Sequence, residues 1–238
     1  MPIEDIDEYI DSVSHVWCHS LYNEGSKKIL PWFDKIIYII RDPRDVLVSF
    51  ARYVFNPVRQ KCITVDEDDP AEYLEKNYRL LTRRWIQHVG KYLCCRDLSI
   101  HFMFYERLLY HFDSELQGLL DYLDIRLDEN DRQAIKKEVS VSSMRKSDPF
   151  HVYKGIYGGW LQVLTKKQKK EILRIAGPLI DFLNYSTNGK IDFRHSLNRI
   201  PAVPKNINDK QIRRILSRSN RPTLFETAEW FHKIATLK

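Results

Sequence analysis

The pattern of apolar and polar positions along the chain predicts strands that alternate with helices. Residues 35–40 (K-I-I-Y-I-I) form a continuous apolar run rich in β-branched residues, typical of a strand buried on both faces. A second strand is predicted at residues 99–105, and a short one at residues 14–20 that ends at His19. Helices are predicted at residues 2–13, 42–55, 71–93, 113–123, 128–138 and 165–182. This alternation indicates an α/β domain with a parallel sheet wrapped by helices.

The junction after the first of these strands predicts a site for an anion. Asp42 is a good N-cap, Pro43 suits the first helical position, and Asp45 occupies the acidic position of a capping box. Arg41 would lie at the carboxyl end of a buried strand, where open α/β sheets bind ligands. The free N–H groups and the dipole of a helix start attract anions, and Arg41 adds a bidentate donor. Ser49 carries a hydroxyl two turns further on.

A second interpretation of the same stretch involves no ligand. Arg41 could pair with a local aspartate, and Ser49 could be an ordinary surface hydroxyl. The stretch alone leaves both interpretations open, because an arginine beside two aspartates fits either one.

Composition and charge narrow the class of protein. The 238 residues suffice for one sizeable α/β domain with an extension, and a formal net charge of +6 favours anionic partners. The four cysteines form no C-x-x-C motif and no Cys/His cluster, which argues against a zinc site and for a reducing compartment. No signal peptide opens the sequence and no apolar run approaches the roughly 20 residues of a membrane span. We therefore expect a cytoplasmic protein without a membrane partner.

The chain changes character after residue 188. Basic residues there lie among prolines and asparagines, namely Lys205, Lys210, Arg213, Arg214, Arg218 and Arg221. We therefore predict a domain over residues 1–188 and a basic C-terminal extension over residues 189–238. A nucleic-acid binder built on this extension ranks last among the possible functions, because the segment has no recognised motif and no interleaved aromatic residues.

Several segments together resemble the cytosolic sulfotransferases. The resemblance rests on four ordered features at family-like spacings, namely Arg41, Ser49, the strand ending in Phe104-Tyr105-Glu106, and Lys154-Gly155-x-x-Gly158-x-Trp160. It covers about residues 14–182. It implies a three-layer fold, similar to that of P-loop NTPases, with a central parallel sheet flanked by helices. It also implies transfer of a sulfuryl group from 3′-phosphoadenosine-5′-phosphosulfate (PAPS) to a phenol, alcohol or amine, without a metal.

The resemblance also implies roles for individual residues. Arg41 and Ser49 would bind the 3′-phosphate of PAPS, and Tyr105 would contact its adenine. The remaining donor-site positions would be the segment from Ser140 to Met144, flanking the adenine, and Lys154 with Gly155, closing over the 3′-phosphate.

His19 falls where the family has its catalytic base. Its imidazole would take the proton from the acceptor hydroxyl, and its unperturbed pKa near neutrality suits that task. On the residues alone, His19 could equally be an ordinary histidine at a strand end, since the chain has eight histidines.

The sequence departs from the family in several places. Residues 1–13 hold no glycine-rich, lysine-containing loop of the kind that cradles the phosphosulfate, and Asn23–Lys27 (N-E-G-S-K) follows His19 in the wrong order. Trp17 and Tyr153 replace a lysine and an arginine of the family. The dimer-contact segment near Thr165 is mostly lost, although a homodimer stays possible.

Two explanations of these departures remain. The sequence is an N-terminally truncated form of a complete sulfotransferase, which we favour because the retained motifs are donor-site residues. Alternatively, it is a diverged, catalytically silent relative that binds a nucleotide or a partner protein.

Overall fold

The computed structural model describes residues 6–57, 65–147, 155–187, 201–204 and 209–219. Its regular elements follow the alternation that the sequence predicts. In chain order they are α1 (Ile6–Ser12), α2 (Glu24–Ile29), a 3-10 turn (Leu30–Trp32), β1 (Ile36–Ile40), α3 (Pro43–Val54), α4 (Pro70–Leu93), β2 (Ile100–Phe104), α5 (Tyr105–Tyr110), α6 (Phe112–Leu123), α7 (Glu129–Glu138), α8 (Val141–Ser147), α9 (Trp160–Val163), α10 (Lys166–Phe182) and α11 (Asp209–Ser219).

The two described strands pair in parallel and lie between helices. Tyr38 of β1 stands opposite Phe102 of β2, and the register continues to Ile40 opposite Phe104. On one face, the ring of Tyr38 lies 4.5 Å from that of Tyr92 in α4. On the other face, His101 of β2 stacks on Tyr122 of α6, with ring centroids 5.0 Å apart. Successive side chains of a strand point to opposite faces, so α4, the sheet and α6 form three layers. The predicted α/β class is confirmed.

The prediction that β1 is buried on both faces is wrong. Ile40 is fully buried, whereas Ile37 and Ile39 are 42% and 57% exposed. These two side chains point to the α6 side of the sheet, and α6 packs beside β2 through His101. The helix therefore covers the neighbouring strand and leaves the β1 part of that face open within the described structure.

Helix α4 forms the main support of the sheet. Asp69 caps it by accepting hydrogen bonds from two backbone N–H groups, and Pro70 occupies its first position. Its buried stripe contains apolar residues at helical spacing, namely Tyr73, Tyr78, Leu81, Trp85 and Val89. The carboxyl-terminal half of that stripe packs on β1, α10 and α11, and the amino-terminal half packs on α3. The position of β1 and α3, and hence of Arg41 between them, is fixed by this helix.

Three segments differ from the sequence prediction. Residues 14–20 form no strand, whereas α1 lies within the helix predicted at residues 2–13. Residues 141–147, for which no helix was predicted, form α8. Helix α11 lies within the basic extension and buries Ile212 and Ile215 in the same hydrophobic cluster as β1 and α4. The proposed division of the chain at residue 188 stays a prediction, but this part of the extension packs on the α/β domain.

Candidate functional site

Arg41 and Tyr105 meet at the carboxyl end of the sheet. They directly follow Ile40 and Phe104, which are opposite each other in the parallel register. The guanidinium carbon of Arg41 lies 4.2 Å from the centre of the Tyr105 ring, within cation–π distance. The indole Nε1 of Trp85 donates a hydrogen bond of 3.0 Å to the backbone oxygen of Arg41. The Nε of Arg41 is buried and has no hydrogen-bond partner in the part of the chain that the structure describes.

The local aspartate pairs with Arg44 and not with Arg41. Arg44 donates two hydrogen bonds to the carboxylate of Asp42, at 2.9 Å from Nε and 2.6 Å from Nη2, and both side chains are fully buried. Asp42 also caps α3 by accepting the backbone N–H of Arg44 at 2.9 Å. Within the described residues, the interpretation that Arg41 neutralises this aspartate is therefore wrong. Arg41 thus forms no ion pair with Asp42, although its charge lowers the pKa of the nearby Asp45 against the effect of burial.

Glu106 joins the ends of the two strands. Its Oε1 accepts the backbone N–H of Asp42 at 2.8 Å, and its Oε2 accepts the hydroxyl of Tyr185 at 2.8 Å. The side chain is fully buried, and this burial raises its pKa to about 7. The residues that follow Arg41 and Tyr105 are thus hydrogen-bonded to each other, which fixes the separation of Arg41 and Tyr105.

Asp45 binds a glycine-rich turn instead of completing a capping box. Its Oδ2 accepts the backbone N–H of Gly158 at 2.7 Å, and its Oδ1 accepts that of Trp160 at 3.0 Å. Burial raises the pKa of Asp45, although these two hydrogen bonds favour the ionised form. The capping-box prediction is wrong because the carboxylate is turned toward residues 158–160. The turn is thereby attached to the first turn of α3.

Gly155 contacts the segment that contains Ser140. Its φ is +57°, in the left-handed region, and a Cβ atom there would overlap the side chain of Val141. Val141 is the first residue of α8, and the hydroxyl of Ser140 accepts the backbone N–H of Ser143 at 3.3 Å. The structure therefore brings Gly155 close to the Ser140 end of the predicted adenine-flanking segment. Lys154 lies outside the described residues.

Ser49 and Met144 are not joined to this cluster. Both side chains are exposed. No hydrogen bond or ring contact within the described ranges links them to Arg41 or Tyr105. Ser49 does lie one helical turn after Asp45 on the same face of α3, so it follows the helix start at which Arg41 lies. Its assignment and that of Met144 remain predictions.

His19 lies on an exposed segment outside any helix or strand. Its ring contacts that of Trp17 edge-on, with centroids 5.7 Å apart, and Trp17 itself is 78% exposed. The backbone oxygen of His19 is 3.3 Å from Nε2 of His88, whose Nδ1 is 2.6 Å from the hydroxyl of Tyr38. His19 is therefore attached to the α4 face of the sheet through its main chain. Its catalytic role stays a prediction.

Sequence reasoning missed the residues that hold the site together. They are the buried polar groups Arg44, Glu106, Tyr157 and Tyr185. One feature of the sequence could have indicated them: an acidic residue directly follows each of Arg41 and Tyr105, the residues at the ends of the two strands. In the segment Asn23–Lys27, Asn23 caps α2, and its Oδ1 accepts the N–H groups of Gly25 and Ser26. That this segment is not a phosphate loop stays a prediction.

A family model described as the sulfotransferase domain matches residues 12–182, well over half of the chain. The chain belongs to the sulfotransferase family. The matched range contains β1, β2 and every described residue of the cluster around Arg41 and Tyr105, apart from Tyr185 and Ser186. It ends at the last residue of α10.

Two similar sulfotransferases are longer than the part of them that this chain matches. The rabbit (Oryctolagus cuniculus) protein described as amine sulfotransferase is 25% identical in an alignment 160 residues long, which covers 59% of this chain and 52% of that protein. The crystal structure of mouse sulfotransferase SULT7A1 complexed with PAP has a TM-score of 0.51 and 25% identity. That match covers 60% of this chain and 57% of the mouse chain. The chain thus spans about half the length of the curated relative.

The described residues contain neither a membrane-spanning helix nor a cluster of metal-binding side chains. Within these ranges, none of the helices combines the length and the apolar character needed to cross a bilayer. In the same ranges, no three or more histidine, cysteine or acidic side chains lie close enough together to hold a metal ion.

Proposed function

We propose that this protein binds PAPS at the carboxyl end of the β1–β2 sheet and takes part, in the cytoplasm, in sulfuryl transfer to a hydroxyl or amine of a small acceptor. Membership of the sulfotransferase family supports the reaction class. The observation that carries the proposal is the buried Nε of Arg41, which has no partner among the described residues beside the Tyr105 ring.

The residues around Arg41 fit the 3′-phosphoadenosine end of the donor. A buried guanidinium N–H without a partner is costly unless an acceptor binds it, and a phosphate oxygen is a strong acceptor. The start of α3 adds a favourable dipole, and the neighbouring tyrosine ring offers a flat surface for a base. Arg41, Ser49 and Gly155 would hold the 3′-phosphate together with Lys154, which lies outside the described residues. Tyr105, Ser140 and Met144 would hold the adenine.

His19 is the proposed catalytic base. Bound PAPS supplies an activated sulfuryl group, and an imidazole nitrogen of His19 accepts the proton of the acceptor hydroxyl. The exposed position of His19 leaves its ring open to an acceptor from solvent. Its main chain is held by His88, so the segment has a defined relation to the sheet.

A second candidate function is nucleotide binding without turnover. It is favoured by Trp17, which is highly exposed two residues before His19, at the position where the family's lysine is expected. An indole cannot supply the positive charge of a lysine to a transferring sulfuryl group. Under this alternative the Arg41 cluster still binds the 3′-phosphate, and only the chemistry at His19 is lost.

Calorimetric titration with adenosine 3′,5′-bisphosphate tests the binding site. We expect the bisphosphate to bind more tightly than adenosine 5′-monophosphate, and we expect Arg41→Ala to abolish that preference. Arg79→Ala is the matched control, because Arg79 lies on the exposed side of α4 and contacts Glu171 at 3.4 Å. Equal affinity of the wild-type chain for the two nucleotides would refute the proposed site.

A transfer assay separates the two candidate functions. The wild-type protein and His19→Ala are incubated with labelled PAPS and a panel of phenols, alcohols and amines. Product that depends on His19 establishes a sulfotransferase. Selective binding of the bisphosphate without product from any acceptor, both in this chain and in a form extended at its N-terminus by the phosphosulfate loop of a family member, would favour the non-catalytic function.

A further inference from the structure

Three hydrogen bonds attach the glycine-rich turn at residues 157–160 to the start of α3. The backbone N–H groups of Gly158 and Trp160 donate to the two carboxylate oxygens of Asp45. The hydroxyl of Tyr157 donates to Oδ2 of Asp42 at 3.0 Å. These hydrogen bonds hold the turn against the helix start.

Asp45 provides two of these three hydrogen bonds and is buried. Its side chain is 4% exposed, so water does not compete effectively for the carboxylate. Hydrogen bonds from N–H groups to an ionised acceptor are stronger than neutral ones. The turn itself needs a special backbone, since Gly158 has a φ of +85°. The geometry thus presents the Gly158 N–H group to Asp45 in a conformation that other residues rarely adopt.

The attachment sets the position of Gly155 relative to Arg41. On the turn side of this contact, Gly155 lies three residues before Gly158 and packs on Val141. On the helix side, Arg41 lies four residues before Asp45. Both residues belong to the proposed 3′-phosphate site. A phosphate bound by groups from two separate segments requires those segments to be held at a fixed distance.

We propose that Asp45 is a positioning residue that determines selectivity for a ribose 3′-phosphate. It does so by holding the glycine-rich turn at residues 157–160, and with it the preceding Gly155, against the start of α3. This inference rests on the proposed function. Both carboxylate oxygens of Asp45 accept hydrogen bonds from the turn, so the proposed effect on the nucleotide is exerted through Gly158 and Trp160. Its contribution should appear in the preference for the 3′-phosphate and not in binding of the rest of the nucleotide.

The test compares the dissociation constants of adenosine 3′,5′-bisphosphate and adenosine 5′-monophosphate. In Asp45→Asn, the amide nitrogen faces one of the two N–H donors, so one hydrogen bond to the turn is lost. We expect the preference for the bisphosphate to fall about tenfold, the effect of one charge-assisted hydrogen bond, with little change for the monophosphate. Asp121→Asn is the matched control, since Asp121 lies on α6 and accepts a hydrogen bond from Gln117.

A second variant changes the same contact on the side of the turn. Gly158→Ala forces a side chain into a left-handed backbone conformation, so it should reduce the preference for the bisphosphate in the same way, even if Asp45→Asn fails to fold. Gly177→Ala is its control, because nothing lies within 4 Å of the added Cβ in α10. An unchanged preference in Gly158→Ala, or in a folded Asp45→Asn, overturns this inference alone. A wild-type chain without any preference overturns the proposed function and this inference together.

Discussion

The two ends of the proposed site are built differently. At the carboxyl end of the sheet, the backbone of Asp42 is bound by Glu106, and the carboxylate of Asp42 is bound by Arg44, all three with buried side chains. At the other end, His19 lies on an exposed segment whose main-chain oxygens accept hydrogen bonds from His88 and Tyr92 of α4.

This difference determines how a function can be assigned to the residues at each end of the site. In the buried end, side-chain identity determines geometry, because a missing partner would leave a polar group without a hydrogen bond in a low-dielectric interior. In the exposed segment, contacts through backbone oxygens accept almost any side chain at position 19. The structure therefore supports the Arg41 site through specific partners, whereas the assignment of His19 depends on the family resemblance and on experiment.

The largest effect is expected from Arg44→Ala at the buried end. The substitution leaves the carboxylate of Asp42 without its charged partner, which typically costs about 3–5 kcal/mol of unfolding free energy. Urea unfolding at neutral pH measures the loss. Arg79→Ala should cost only a small part of this, since its ion pair with Glu171 is exposed. Similar losses in the two variants would contradict the claim that the buried pair organises the site.

An intermediate effect is expected from the pH dependence that Glu106 causes. Burial raises its pKa from 4.5 to about 7, so between these values the folded chain binds more protons than the unfolded chain. Stability should therefore fall as the pH rises through this window, by about 3 kcal/mol in total. Glu106→Gln should remove this slope, measured as unfolding free energy at several pH values between about 4.5 and 8. If the unfolding free energy of the variant depends on pH as strongly as that of the wild type, another titrating group causes the dependence.

The smallest effect is expected from Tyr92→Phe in α4. The hydroxyl of Tyr92 donates a hydrogen bond of 2.9 Å to the backbone oxygen of Ser20, next to His19. Its loss should cost about 1 kcal/mol and should make residues 13–23 more susceptible to limited proteolysis, without weakening the binding of adenosine 3′,5′-bisphosphate. Weaker nucleotide binding in this variant would show that the two ends of the site depend on each other.

The sequence predicted those features that depend on local pattern. The apolar run at Ile36–Ile40, the cap at Asp42 and the buried stripe of α4 all follow from the spacing of residue types along the chain. The meeting of Arg41 and Tyr105 was also foreseeable, since both follow strands that the alternation placed in one parallel sheet. The hydrogen bonds of Asp45 to the glycine-rich turn were not foreseeable. An aspartate at this position can complete a capping box or bind a distant turn, and the local sequence is the same in both cases.

The sequence by itself determined the α/β class, the family and the position of Arg41 between a strand and a helix. Only the tertiary structure decided which arginine pairs with Asp42, what Asp45 binds and which face of β1 is covered. Hydrophobic periodicity and capping are local and can be recognised within a few residues. The partners of buried charges are separated by up to 142 residues in the chain, as Ser186 is from Arg44, and only the packing of the sheet and helices brings them together.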